Sequence, residues 1–178
     1  MLSCLNAAEK SAVLSDNILE SQNKAVIIPI EGMVKKLLLT TLKRRTEAAI
    51  ESGVDLIIFR VKSDGGELGS AMEMSNYVFG LDSSIRTIAY VEAKAYSAAA
   101  LFSLACDDLA MKPGSAIGDC EPILPGNGGY VTAGEKIQTV LKERFRTFAK
   151  TNGYPEDLSQ AMVSSKLKIY QVIEKASG

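Results

Sequence analysis

Hydrophobic positions along this chain fall into two patterns. Lys24–Ile30 (KAVIIPI) and Val54–Val61 (VDLIIFRV) are near-continuous runs dominated by β-branched and large apolar residues. Such runs predict strands covered on both faces, as in a parallel sheet flanked by helices. Between them, Val34–Ser52 spaces Leu38, Leu42, Ala49 and Ile50 along one stripe and keeps Lys43, Arg44, Arg45 and Glu47 on another face, which predicts an amphipathic helix. Gly32 separates strand from helix, and Gly53 stands where a helix C-cap belongs.

The alternation then continues. Ser63-Asp64-Gly65-Gly66 follows the second strand, and Glu67–Phe79 reads as a second amphipathic helix. Ile85–Val91 predicts a third strand, the alanine-rich Ala95–Ala105 a tightly packed helix, and Asp108–Met111 a short strand. Lys112–Gly129 holds eight glycines and prolines and predicts a long loop. Thr132–Lys150 predicts a helix with Ile137, Val140, Leu141 and Phe148 on one side, Tyr154-Pro155-Glu156 starts a short helix, and Leu167–Ile173 offers a last strand. Strands alternating with helices imply right-handed βαβ units, hence an α/β fold with a mostly parallel sheet and flanking helices. Residues 1–23, polar with weak periodicity, read as a leader or partly ordered arm before a domain over residues 24–178.

Composition narrows the chemistry. The chain has 178 residues, 47% hydrophobic, with 20 Lys+Arg against 21 Asp+Glu. A net charge of −1 gives no electrostatic reason to expect nucleic acid. There is no histidine, which excludes Ser-His-Asp and Cys-His devices. The three cysteines, Cys4, Cys106 and Cys120, are unevenly spaced, form no disulfide framework and no CxxC pair. The carboxylates are scattered, so neither a metal site nor a cofactor is expected. No apolar run reaches the roughly 18 residues of a membrane span, and the start lacks the basic-then-apolar order of a signal peptide.

Two predicted strand ends carry unusual chemistry, and ligands of parallel α/β structures sit at such ends. At Gly65-Gly66 paired glycines permit positive φ and close backbone approach. At Ala95-Tyr96-Ser97-Ala98, a serine opens a helix, where free backbone N–H groups and the positive helix end meet. That serine can serve as a nucleophile beside a ready-made oxyanion site or as a helix N-cap. A serine nucleophile needs a base, and without histidine a neutral lysine among apolar neighbours is the best candidate. Lys136, at the head of a helix one turn before Val140, fits in part, whereas Lys142 lies further from the apolar stripe. Cys106 reads as a packing residue, Cys120 as an exposed loop thiol, Ser63 as a turn residue, and Asp107-Asp108 as a solvated strand entry.

Taken in order, IPIEGMV (Ile28–Val34), IIFRVKSDGGEL (Ile57–Leu68), TIAYVEAKAYSAAALFSLACDDLAMKPGSAIGDCEPI (Thr87–Ile123) and EKI (Glu135–Ile137) resemble the NfeD-type membrane-associated serine proteases of the ClpP/crotonase superfamily. The resemblance implies a ClpP/crotonase-like spiral of βαβ units. It also implies a Ser–Lys endopeptidase with Ser97 as nucleophile, Lys136 as base, and the backbone N–H groups of Gly65, Gly66 and Ala98 as the oxyanion hole. It further implies apolar peptide substrates, a stomatin-like membrane partner, a homo-oligomer, and a membrane-associated domain on the extracytoplasmic side. Three features depart from the family pattern. Asp64 replaces a usual proline, Tyr96 replaces a smaller residue, and the chain stops soon after Lys168–Ile173 where members continue, so a fragment or a short member is expected. Two other functions are compatible with the same residues: a non-catalytic interaction module of this fold, and a crotonase-type acyl-CoA enzyme, which shares the two-amide oxyanion hole but uses no serine nucleophile.

Overall fold

A computed structural model describes residues 24–170. The apolar runs form strands β1 (Ala25–Glu31) and β2 (Leu56–Ser63), paired in parallel with Ile28 opposite Phe59. Helix α1 (Lys36–Glu51) connects them. Helix α2 (Leu68–Phe79) leads from β2 to β3 (Arg86–Tyr96), which pairs in parallel with β2. Helix α3 (Ala98–Leu104) then leads to β4 (Asp108–Met111) and β5 (Ala116–Gly118). The sheet order is β1-β2-β3-β4, with β5 also on β3, and every pairing in this five-stranded sheet is parallel. The α/β architecture expected from the alternating pattern is the one found.

Three boundaries differ from the sequence expectation. Strand β3 runs past Val91 to Tyr96. Its second half, Lys94–Tyr96, pairs with β5, a strand inside the segment expected to be loop. That partner takes up the ladder again at Lys94, beyond the polar Glu92. Consequently α3 begins at Ala98, because Ala95 and Tyr96 are still in the sheet. The rest of the expected loop contains an antiparallel hairpin, β6 (Ile123–Gly126) and β7 (Gly129–Thr132), closed by Asn127-Gly128. Asn-Gly is a strong signal for a two-residue hairpin turn, and it was masked here by the surrounding glycines and prolines. Every residue of the hairpin is exposed. Helices α4 (Glu135–Asn152) and α5 (Glu156–Ala161) follow. Leu167–Tyr170 is not a strand; the remainder of that expectation, and the arm over residues 1–23, lie outside the described residues.

Helix α3 is the centre of the core. All seven of its residues are buried, and a helix buried on every side must be apolar or satisfy its own polar groups. Ser103 does the latter, donating its hydroxyl to Ala99 O at 2.8 Å. Phe102 meets Phe59 of β2 edge to face, with ring centroids 5.2 Å apart. The carbonyls at its C-terminal end are held from α4. Asn152 Nδ2 donates to Leu104 O and to Cys106 O, both at 2.9 Å, and Tyr154 Oη donates to Cys106 O at 3.2 Å. The helix that opens at Ser97 is thus bolted at its far end to the helix that opens beside Lys136.

Asn152→Leu removes the side-chain donor of Leu104 O and leaves Cys106 O to Tyr154 alone. It is expected to lower stability by about 1–3 kcal/mol, read as a drop in denaturation midpoint.

Candidate active site

Ser97 lies between β3 and α3 with φ 52° and ψ −116°. A non-glycine residue in that region stores about 1–3 kcal/mol of strain unless its surroundings impose it. They do so here through the backbone. Ser97 N–H donates to Gly118 O at 2.8 Å, and Ser97 O accepts from Ala100 N–H at 3.0 Å and Leu101 N–H at 3.2 Å. Cys120 Sγ stands 3.7 Å from the same carbonyl. The Ser97 hydroxyl makes no capping hydrogen bond. Of the two roles left open by the sequence, the N-cap is therefore not the one adopted. The half-buried side chain is free for other chemistry.

The glycine turn abuts this serine. Gly65 is at φ 98°, and a Cβ built on it would lie 2.7 Å from Ser97 Cβ and 2.8 Å from Tyr96 O. Only a residue without a side chain permits this approach. Gly66, at φ 157°, lies against Val34, whose carbonyl oxygen would be 2.1 Å from an added Cβ. Val34 N–H donates to Gly65 O and Glu67 N–H donates to Val34 O, each at 2.8 Å. The three amides expected to face an oxyanion therefore have different fates. Gly65 N–H is already bonded, to Ser63 Oγ at 3.1 Å. Among the described residues, Gly66 N–H and Ala98 N–H donate to nothing.

Lys136 sits in the first turn of α4. Together with Leu68, Met72, Ile137, Val140 and Leu141 it lines an open, apolar cleft of about 260 Å³ between α2 and α4. Gly65, Gly66 and Ser97 do not line this cleft; Leu68, two residues beyond Gly66 in sequence, does. Lys136 is exposed rather than enclosed as a neutral base would require. The apolar neighbours expected for it are present, but the lid is not.

Other residues depart from expectation in instructive ways. Cys120 is buried, not exposed, because its N–H is drawn in to Met162 O at 2.8 Å. Burial, and then the charge of Asp119, pushes its thiol up to about 12. Cys106 is buried as expected, and burial followed by the Asp107 charge raises its thiol well above the usual value. The acidic pair does more than face solvent: Asp107 accepts from Thr87 N–H and Oγ1, and Asp108 pairs with Arg86 Nε at 2.7 Å. Asp64 carries its carboxylate outward, 73% exposed, onto Lys94 Nζ at 2.5 Å. Its charge is thereby partnered and directed away from the glycine amides. Ser63 is the residue whose importance the sequence reading understated: it is 1% exposed and bonded on two sides. A serine two positions before a turn glycine is the available signal. No group of three metal-ligating side chains occurs among the described residues, and no helix among them is long and apolar enough to cross a membrane.

Comparison with known proteins places this geometry. The sequence model of the NfeD1b N-terminal domain matches residues 24–177. The membrane protein NfeD1b of Bacillus subtilis (strain 168) is 29% identical over 146 residues, covering 82% of this chain and 32% of that protein. The membrane-bound protease PH1510 of Pyrococcus horikoshii is 25% identical over 154 residues, covering 84% and 34%. The chain thus spans about a third of the length of the curated relatives it matches. A serine-to-alanine mutant of the 1510-N membrane-bound stomatin-specific protease superposes with a TM-score of 0.75 at 24% identity, covering 83% of this chain and 72% of that one. ClpP1 from Listeria monocytogenes gives a TM-score of 0.56 at 15% identity, covering 83% and 82%. The fold is ClpP-like, as the sequence resemblance implied.

Two outcomes follow from the site's backbone and thiols. Ser97→Gly relieves the positive φ that Ser97→Ala retains, and is expected to be about 1–2 kcal/mol the more stable of the two by chemical denaturation. Cys106 and Cys120 both ionise later folded than unfolded. The stability gained by keeping the Cys120 thiol neutral is therefore full below its usual value of 9.0 and is lost as pH rises toward about 12. Denaturation midpoints should fall over that range, less steeply in Cys120→Ala, and peptide mapping should find both thiols unalkylated in the native protein at neutral pH.

Proposed function

The chain belongs to the NfeD1b N-terminal-domain family, and from that premise we propose a serine endopeptidase domain with Ser97 as nucleophile and Lys136 as its base. The observation that carries the reading is the strained serine backbone, with an uncapped hydroxyl, next to the undonated Ala98 amide and against the glycine turn at Gly65. Strain of this kind persists where surroundings enforce it and concentrates at functional sites. Ser97 Oγ attacks a peptide carbonyl carbon, and Lys136 accepts the hydroxyl proton. The resulting oxyanion takes hydrogen bonds from Gly66 N–H and Ala98 N–H. Lys136 then returns the proton to the leaving amine, and water releases the acyl group by the same steps. Gly65 N–H plays no direct part in this scheme, since Ser63 occupies it.

The apolar cleft fits the substrate class. Leu68, Met72 and Val140 wall the side of Lys136. An apolar segment laid there strips water from the amine, which favours its neutral form. Bound substrate supplies the cover that the free chain lacks. The relative named as a membrane-bound protease and the fold neighbour described as stomatin-specific support a membrane partner with an apolar, stomatin-like segment as substrate. A membrane-associated, extracytoplasmic setting and a homo-oligomer belong to the same proposal. Exposure of Lys136 is the observation favouring a second reading, a non-catalytic interaction module. A fluorophosphonate probe separates the two by labelling Ser97 only in the first.

With an apolar peptide as substrate, Ser97→Ala and Lys136→Ala are each expected to lower kcat by at least about 10³-fold. Lys136→Arg does not restore turnover, because a guanidinium does not give up its proton in this range. Cleavage undiminished in both alanine variants would overturn the dyad.

A further inference from the structure

We infer that Ser63 is a positioning residue for the oxyanion hole, its buried hydroxyl selecting which of the two glycine amides faces the reaction. This rests on the proposed chemistry of Ser97. The Ser63 hydroxyl spans two elements. It donates to Gly32 O, just past β1, at 2.5 Å and accepts from Gly65 N–H at 3.1 Å. Gly32 N–H in turn donates to Lys62 O at 3.3 Å. The strand ends β1 and β2 are thereby clamped at the point where the β2–β3 register shifts, between Val61 and Ser63.

The clamp has a directional consequence. Gly65 N–H is drawn inward to Ser63, while Gly65 O is fixed by Val34 N–H at 2.8 Å. In a trans peptide the C=O and the following N–H point opposite ways. Gly66 N–H must then point away from Val34, on a turn whose Gly65 Cα is pressed against Ser97. Both glycines could rotate freely in isolation. With Ser63 Oγ removed, Gly65 N–H has no partner among the described residues, and the Asp64–Gly65 peptide plane is freed while Val34 N–H still holds the Gly65–Gly66 plane through Gly65 O. Gly65 N–H then competes with Gly66 N–H for the oxyanion, and rotation of the freed plane shifts the Gly65 Cα that lies against Ser97, which weakens transition-state stabilisation more than substrate binding.

The test uses the active chain and an apolar peptide. Ser63→Ala is expected to lower kcat about 10–100-fold, a share of the ~10²–10³-fold that loss of an oxyanion donor costs, with KM changed less than about twofold. Affinity for a peptide boronate, whose tetrahedral Ser97 adduct places an oxygen in the hole, should fall by the same factor. Uncleaved peptide should bind Ser97→Ala and the Ser63→Ala/Ser97→Ala double variant equally. A kcat within about threefold of wild type overturns the proposal, as does a uniform loss of kcat, boronate affinity and peptide affinity, which marks a merely structural residue. If Ser63→Ala does not fold, amide exchange in the wild-type protein decides. Slow Gly65 N–H with fast Gly66 N–H is expected, and fast Gly65 exchange overturns the clamp. A wild-type chain that never cleaves sinks the Ser97 reading alone, and the exchange measurement still judges Ser63.

Discussion

The site depends on one close approach of a residue that has no side chain. Gly65 lies so close to Ser97 Cβ and Tyr96 O that any Cβ on it would collide with them. That contact brings the end of β2 against the start of α3, although α2 and β3 separate them in sequence. The undonated amides of Gly66 and Ala98 belong to these two strand ends. If the strands slid by one residue, the glycine would leave the serine and the hole would open. The parallel register of β2 with β3, including its shift near Ser63, therefore sets the geometry of the candidate site as well as the scaffold.

What holds the serine in an unfavourable backbone conformation is the burial around it. Helix α3 is wholly inside the protein, edge to face with Phe59 through Phe102 and held at its end by Asn152. On the other side Gly118 O takes the Ser97 N–H. The local penalty, about 1–3 kcal/mol, is small beside the burial of several apolar side chains at about 1.5–3 kcal/mol each. The core can therefore sustain a conformation that the residue would not choose by itself. Lys136 is held less tightly, on the rim of an open cleft at the head of α4. Ser97 and the glycine turn beside it are fixed by hydrogen bonds and close contact, whereas Lys136 is exposed.

The sequence made some of this visible and hid the rest for physical reasons. Strand β2 was legible because both faces are largely covered and its apolar signal is nearly unbroken; β1 shows the same β-branched run although it is an edge strand, with Ile27 60% exposed rather than covered as expected. The serine at the head of α3 was legible as a helix start, but its residues left cap and nucleophile open, and only the absence of a capping bond in the structure removes the first. The end of β3 was not, since Glu92 and Lys94 look like loop until β5 is known to pair there. The Asn127-Gly128 hairpin was obscured by its glycine-rich setting. The fate of the Gly65 amide depends on Ser63 turning inward, and the exposure of Lys136 depends on how α4 packs against α2. Both are tertiary facts with no periodicity to reveal them.

The backbone angle at Ser97 also restricts which alcohol evolution could place there. Threonine offers the same hydroxyl, but its branched Cβ is disfavoured at positive φ. Exchange of one hydroxyl amino acid for the other, harmless at many surface positions, is closed at this one by shape rather than by reactivity. A primary alcohol fits this bend of the chain where a branched one does not.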